Sequence, residues 1–189
     1  MYIISFFVMF SFFLHSSSNA TNIIPDTCKE ISKDDPDVTY GFCLRALGSN
    51  PRNSESKTTL TTIDQLGSIS FKLGISKAIA TKSRIENLLK DPHTDPRNTR
   101  VLKLFLEQYL DALMDLEGGI KALRVKDYLE ANNRATSATI SALTCKDDRK
   151  AKKRIPGLYK ENDDFFQLNS ISISITNMLF ERDHGKMTF

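Results

Sequence analysis

The stretch LKLFLEQYLDALMDLEGGIKAL, residues 102–123, decides the fold. Its apolar residues recur mostly at steps of three and four, which is the spacing of one face of an α-helix. Gly118 and Gly119 interrupt the pattern, each at a cost of about 1 kcal/mol relative to alanine, so we expect a local bend and not a break. The apolar face consists of Leu102, Phe105, Leu106, Tyr109, Leu113, Leu116, Ile120 and Leu123.

Two neighbouring segments show the same helical periodicity. Upstream, the region from about 57 to 90 repeats leucine and isoleucine at helical steps, and Asp-Pro turns end it. Downstream, a segment that begins near Asp127 presents Tyr128 and then almost only alanine on its apolar face. Small side chains let another helix approach closely, so this face predicts tight packing against a neighbour.

The last segment contains a conflict of patterns. Residues 170–175 alternate serine and isoleucine, which is typical of a strand. The wider window places Ile171 and Ile175 at helical spacing, with Asn162 or Asp163 as the N-terminal cap. We expect a helix, because a lone strand would have no partner in this chain.

Two short helices precede these long segments. Thr27 and Glu30 have the spacing of a capping box for the first, and Asp35 is a candidate cap for the second. The tight turn between two such helices brings Cys28 and Cys43 together. A disulfide that closes a loop of this length contributes about 3 kcal/mol in the chain-entropy model.

Together these patterns predict an all-α fold. A disulfide-stapled helical hairpin at about 26–48 precedes an up-down-up-down four-helix bundle at about 57–182. Before them, residues 1–20 form an apolar run followed by small residues, which is typical of a secretory signal cut after Ala20. The mature chain, 21–189, would be one domain. A secreted route leads to an oxidising compartment, where cysteines pair.

The third cysteine has no obvious partner, because the chain has only three. Cys145 lies on the alanine-rich apolar face of its segment. Reactive thiols need polar and accessible surroundings, so this position predicts a small buried hydrophobe. An intermolecular disulfide is the alternative.

The chain offers little catalytic or metal-binding chemistry. Its three histidines lie off the apolar faces, so neither a nucleophile–histidine pair nor a zinc site is predicted. Glu107, Asp111 and Asp115 follow helical spacing but lie beside the apolar face, which predicts a solvated acidic surface. No catalytic residue, metal site or cofactor is therefore expected, and the protein is predicted not to be an enzyme.

A basic run follows the alanine-rich segment, and it has two interpretations. In a secreted chain it is either a solubilising loop or a contact for an acidic polysaccharide or an acidic enzyme surface. The signal segment argues against nucleic acid, and no aromatic residue is interleaved with the charges. No other segment is apolar enough to cross a membrane. The candidate polyanion contacts are Arg149, Lys150, Lys152, Lys153 and Arg154.

Four stretches carry a resemblance to a known family: TCKEISKDDPDVTYGFCLRAL, LEQYLDALMDL, KDYLEANNRATSATISALTCKDD and KENDDFFQLNSISISITNML. In order and spacing they resemble the plant invertase and pectin methylesterase inhibitors. The resemblance implies a four-helix bundle with an N-terminal hairpin. It also implies a secreted or vacuolar protein, extracellular in the apoplast, that is no enzyme itself but blocks the substrate cleft of a carbohydrate-active enzyme.

The resemblance also assigns the cysteines. Members usually carry four, paired first with second and third with fourth. Cys28 and Cys43 match the first pair and Cys145 matches the fourth, whereas Phe105 occupies the third position. The second bridge is therefore expected to be absent, with Cys145 packed against or near Phe105.

Some invertase inhibitors of the family present a Pro-Lys-Phe tripeptide, on a turn between bundle helices, to the acidic active site of the enzyme. The corresponding turn here is Asp127-Tyr128-Leu129, after Lys126, and departs from that motif. Pectin methylesterase inhibitors dock polar helix faces instead. We expect acid invertase as the target and pectin methylesterase as the alternative. A different class of function is a non-inhibitory binding module that uses the run Arg149–Arg154 on acidic polysaccharide.

Overall fold

A computed structural model of the chain describes residues 23–48, 62–146, 153 and 155–185. The described residues are helical apart from turns and caps, and they contain no strand. The expected signal segment lies outside this part of the chain. The elements are the hairpin helices α1 (Ile24–Asp34) and α2 (Tyr40–Gly48), then α3 (Ile63–Lys90), a 3-10 turn (Pro96–Asn98), α4 (Thr99–Arg124), α5 (Tyr128–Lys146) and α6 (Pro156–His184).

The four long helices form a closed bundle. Helix α4 packs against α3 and α5, and α6 packs against α5 and α3, so that each helix touches two neighbours. Short connections make consecutive helices antiparallel, which confirms the predicted up-down-up-down topology. The alanine face of α5 is fully buried, and it lies between α4 and α6. The hairpin packs on α3 and α6 at one end.

Helix α4 follows the predicted face closely. Four of the eight predicted residues are fully buried and the other four are partly buried against the same core. The helix continues through Gly118 and Gly119 without a break. Gly119 is buried where α4 approaches α3, because a Cβ there would fall 2.1 Å from Cε1 of Phe71.

The hairpin confirms the predicted disulfide but not the predicted caps. The Cys28 and Cys43 sulfur atoms are bonded, with their Cα atoms 5.6 Å apart. Helix α1 begins at Ile24 with a proline in its first turn, so Thr27 is buried inside the helix and does not cap it. Proline suits the first turn because it has no N–H to satisfy there. The capping-box prediction is therefore wrong.

The second cap prediction is also wrong. The Asp35 carboxylate accepts the N–H of Asp37 at 2.9 Å and closes a turn between the helices. Helix α2 starts later, at Tyr40, where the hydroxyl of Thr39 accepts the N–H of Phe42 at 3.2 Å. In such turns an aspartate side chain accepts a hydrogen bond from the backbone N–H two residues later, so aspartate is favoured there as well as at the start of a helix.

The last helix settles the conflict between strand and helix in favour of a helix, α6, which begins six residues before the predicted cap. Asn162 is buried and joins two other helices instead. It accepts a hydrogen bond from the hydroxyl of Tyr109 at 3.1 Å and donates to the carbonyl of Ala142 at 2.8 Å. One amide thus satisfies two buried polar groups, the Tyr109 hydroxyl and the Ala142 carbonyl, which explains why an asparagine occupies this buried position.

Candidate functional site

The turn that joins α4 to α5 is tight and closed by its own backbone. Only Val125, Lys126 and Asp127 separate the two helices. Lys126 adopts a left-handed conformation, with φ of 60°, which is uncommon for a residue with a side chain. The Lys126 N–H donates to the Leu123 carbonyl at 3.1 Å, and the Asp127 N–H donates to that of Ala122 at 3.0 Å. These bonds fix the turn to the end of α4.

The turn presents a cation between two apolar side chains. Val125 is 76% exposed and Leu129 is 55% exposed, and Lys126 between them is exposed as well. Asp127 is occupied locally, because its carboxylate accepts the N–H of Glu130 at 3.0 Å and caps α5. Tyr128 is only 2% exposed. The structure therefore corrects the expectation that Tyr128 is a surface contact and leaves Lys126 and Leu129 as the outward-facing candidates.

Tyr128 anchors the turn from below, through a cluster that joins three helices. Its hydroxyl donates to the Asp64 carboxylate, in the first turn of α3, at 3.1 Å. Arg182, in the last turn of α6, donates to the same hydroxyl at 3.0 Å and also bonds both oxygens of Asp64. The guanidinium carbon lies 5.8 Å from the centre of the Tyr128 ring. We call Asp64, Tyr128 and Arg182 the clamp.

The electrostatics of the clamp follow from these bonds. The hydrogen bonds from Arg182 lower the pKa of the Asp64 carboxyl, against the opposing effect of its partial burial. Arg182 lowers the pKa of Asp183 in the same way, through a bond at 2.7 Å, and Lys126 adds to that effect. Burial and the bond to Asp64 raise the pKa of Tyr128. The clamp is thus a neutral phenol between a stable cation and a stable anion.

The sequence did not indicate Asp64 and Arg182 as part of this site. They are separated by 118 residues, and each is an ordinary charged residue near a helix end. The one local hint is that each residue complements the dipole of its own helix, because Asp64 is an acid in the first turn of α3 and Arg182 is a base in the last turn of α6.

Cys145 is a free, buried cysteine, as predicted. Burial raises the pKa of its thiol to about 12. Phe105 is buried in the same apolar cluster, where its ring centre lies 5.4 Å from that of Tyr159. Both residues also line a groove of about 870 Å³ between the start of α4 and the end of α5. The two family bridge positions are therefore both buried and are not joined by a disulfide.

Most of the basic run lies outside the described residues. Lys153 is described and exposed, and the contact of Arg149, Lys150, Lys152 and Arg154 with a polyanion stays a prediction. Glu107 and Asp111 are exposed, and Asp115 pairs with Arg134 at 3.1 Å, as expected for a solvated acidic surface.

Neither a metal centre nor a membrane span appears in the described part of the chain. No group of three or more His, Cys, Asp or Glu side chains there could hold a metal ion. Within the same residues, no helix combines the length and the apolar character that a bilayer requires. What stands out chemically is therefore the exposed turn and the clamp beneath it.

Comparisons with known proteins agree on one protein family. The family model described as plant invertase/pectin methylesterase inhibitor matches residues 22–175. A Platanus orientalis protein named "Putative invertase inhibitor" is 33% identical over 169 residues, which cover 89% of this chain and 94% of that protein. The Arabidopsis thaliana protein "Pectinesterase inhibitor 12" is 31% identical over 172 residues, which cover 91% and 96%.

The fold has solved counterparts as well. A crystal structure of a pectin methylesterase inhibitor from Arabidopsis thaliana superposes with a TM-score of 0.60 and 22% identity, covering 80% of this chain and 96% of that one. A mutant form of a pectin methylesterase inhibitor from Arabidopsis superposes with a TM-score of 0.62 and 21% identity, covering 79% of this chain and 96% of that one. These relatives are named as inhibitors of enzymes and not as enzymes. The chain belongs to the plant invertase/pectin methylesterase inhibitor family and is not itself an enzyme.

Proposed function

We propose that this protein inhibits a plant acid invertase and that the turn from Val125 to Leu129 enters the substrate cleft of the enzyme. The observation that carries the proposal is the exposed cation, Lys126, between two exposed apolar side chains on a backbone that is already closed. A surface that is fixed before it binds loses little conformational entropy on binding. The 33% identity to the Platanus protein supports invertase as the target.

Charge supports the same assignment. The resemblance implies that invertase inhibitors of the family address an acidic active site, and Lys126 supplies a charge of the opposite sign. Complementary charge speeds encounter and disfavours wrong partners. Val125 and Leu129 would supply the apolar area around it. The outward residues are not those of the Pro-Lys-Phe motif, so the contact would use different side chains on an equivalent turn.

The proposed setting is outside the cell or in the vacuole. The expected signal at residues 1–20 would direct the chain there. The Cys28–Cys43 bridge suits such an oxidising compartment, since disulfides persist there and are rare in the cytosol.

The first experiment is a titration of the chain from Thr21 to Phe189 against a plant acid invertase and a pectin methylesterase, both at acidic pH. We expect invertase activity to fall with a stoichiometric end point, and pectin methylesterase activity to stay constant at the same inhibitor concentrations. Unchanged invertase activity at micromolar inhibitor would refute the proposal.

A charge-reversed pair of variants locates the contact. Lys126→Glu is expected to raise the inhibition constant by about 10-fold or more, as for a central interface charge. Lys103→Glu changes the net charge equally but lies near the other end of α4, roughly 33 Å away at 1.5 Å per residue. It is expected to leave the constant unchanged. Equal effects of the two variants would show that only overall charge matters.

Pectin methylesterase remains the second candidate, since the exposed carboxylates of Glu107 and Asp111 form a polar helix face. The resemblance implies that pectin methylesterase inhibitors dock through such faces. If this is the target, Glu107→Gln with Asp111→Asn weakens inhibition of pectin methylesterase, whereas Lys126→Glu does not.

A further inference from the structure

The clamp contacts the proposed enzyme-binding turn from the inside of the molecule. Tyr128 is the first residue of α5 and follows the turn directly. Its ring belongs to the apolar cluster that includes Leu66 and Leu179, so the ring is held on its apolar side. Its hydroxyl bonds to Asp64 and Arg182, and the Arg182 guanidinium also lies over the ring. The packing of the Tyr128 ring and the hydrogen bonds of its hydroxyl together therefore fix the direction in which the chain leaves the turn.

On the α4 side, the turn is held by its own backbone. Its backbone bonds run back to Ala122 and Leu123, at the end of α4. The cap from Asp127 to Glu130 is local to α5 and does not tie it to another helix. Across helices, Asn132, one turn further along α5, donates to the Ile173 carbonyl at 3.1 Å and to the Thr176 hydroxyl at 2.9 Å in α6. The clamp is nearer to the turn and joins the first residue of α5 to both α3 and α6.

The clamp is exposed enough that its ion pair adds little to overall stability. The Arg182 and Asp64 side chains are 40% and 46% exposed, and ion pairs exposed to this degree contribute little to the free energy of unfolding. The geometry is nevertheless specific. The guanidinium contacts both carboxylate oxygens and the phenol, and its Nε also donates to Asp183 at 2.7 Å. A planar fork bound at several points fixes orientation more than it adds energy.

We infer that Arg182 and Asp64 are positioning residues: through Tyr128 they hold the turn 125–129 in the geometry with which it meets its target enzyme. The inference rests on the proposed function. Neither residue needs to touch the enzyme. Their loss would let the turn sample other orientations, and the binding-competent fraction would fall, which raises the apparent dissociation constant in proportion.

The test compares two arginines that both join α3 to α6. Arg182→Gln breaks the clamp. Arg84→Gln removes an arginine of similar exposure, 44%, that pairs with Glu161, about 31 Å away along α6 at 1.5 Å per residue. Tyr128→Phe keeps the ring and removes only the hydroxyl. Arg182→Lys keeps the charge and removes the fork.

Two measurements are made on each variant of the full mature chain. Hydrogen exchange of the Lys126 and Asp127 amides, which are bonded in the native turn, needs no enzyme. We expect it to be several-fold faster in Arg182→Gln and Tyr128→Phe and unchanged in Arg84→Gln. The inhibition constant is expected to rise about 10-fold in the first two variants, to rise less in Arg182→Lys, and to stay constant in Arg84→Gln. Melting temperatures should stay close to that of the wild type throughout.

The outcomes separate the two proposals. If the wild-type chain does not inhibit invertase, the proposed function fails, and the exchange rates still decide whether the clamp orders the turn. If the wild type inhibits but Arg182→Gln and Tyr128→Phe exchange and inhibit like Arg84→Gln, the positioning role is refuted while the function stands. A fall in melting temperature that accounts for the loss of inhibition would also refute it, because the effect would then be global.

Discussion

Gly119 lies directly against the ring of Phe71, at the contact between α4 and α3. A Cβ at this position would be 2.1 Å from Cε1 and 2.9 Å from Cδ1 of the phenylalanine, far inside van der Waals contact. Gly119→Ala is therefore expected to lower the free energy of unfolding by about 1–3 kcal/mol, as overpacking of a core does. Denaturant titration followed by circular dichroism measures it.

The neighbouring glycine is a matched control. A Cβ on Gly118 would lie 3.4 Å from the Cδ and Nε atoms of Arg134, which is an ordinary van der Waals distance. Alanine is favoured over glycine in a helix by about 1 kcal/mol. Gly118→Ala should therefore stabilise the protein while Gly119→Ala destabilises it. Changes of the same sign in both variants would contradict the packing explanation.

Phe105→Cys tests whether this chain has kept the geometry of the family's second bridge. We expect the new thiol to form a disulfide with Cys145, visible as a loss of two mass units. Closing a loop of this length contributes about 4 kcal/mol in the chain-entropy model, whereas removing a buried phenylalanine costs about 3–5 kcal/mol. The variant should thus be about as stable as the wild type when oxidised.

The informative comparison is within the variant. The free energy of unfolding of Phe105→Cys is measured with the new disulfide oxidised and with it reduced. We expect the two values to differ by about 4 kcal/mol. Mass spectrometry checks that the native Cys28–Cys43 bridge is in the same state in both samples. Failure to oxidise under air and mild catalyst would mean that the two positions have moved apart in this chain.

The Cys145 thiol should be nearly inert in the folded protein. Burial raises the pKa of Cys145 to about 12, and the thiolate is the reactive form. Labelling at pH 8 should be at least about 100-fold slower in the native state than in denaturant. Thr144 is exposed one residue earlier, so Thr144→Cys combined with Cys145→Ala provides a reactive control. Rapid native labelling of Cys145 would show that this end of the bundle opens.

The sequence predicted the faces of the long helices better than their ends. Tyr128, Ala131 and Cys145 are buried as the periodicity requires. A helix face is predicted from many residues over several turns, so one exception does not change the prediction. Caps depend on a single residue. Thr27 and Asp35 matched cap patterns but serve other roles, whereas the capping box of Thr62 and Gln65, which starts α3, was not predicted.

The site was only half predictable, for a related reason. The turn near Asp127 follows from two adjacent helical patterns, which are local in sequence. The clamp does not, because Asp64 and Arg182 meet only after the bundle has closed. The burial of Tyr128 was predicted from its helical face, yet its role as a surface contact was expected from the turn. The two expectations conflict, and the packing of the ring decided between them.

The clamp should also shape the acid limb of stability. Arg182 holds the pKa of Asp64 below its ordinary value. A carboxyl with a depressed folded-state pKa stabilises the protein above its unfolded pKa, about 3.9, and that contribution disappears as the pH falls through the lower folded value. Asp64→Asn should therefore melt slightly below the wild type at pH 5–7, and the difference should vanish toward pH 2.

A second carboxylate provides the comparison for this prediction. Asp111→Asn removes an exposed acid from the outer face of α4 and leaves the bonds between Arg182 and Asp64 intact, so it controls for the loss of one negative charge. The expected shift for Asp64→Asn is only a few degrees, since the pair is well exposed to solvent. A difference that persists unchanged to pH 2 would mean that Asp64 acts through its shape or its place in the first turn of α3, and not through its charge on Arg182.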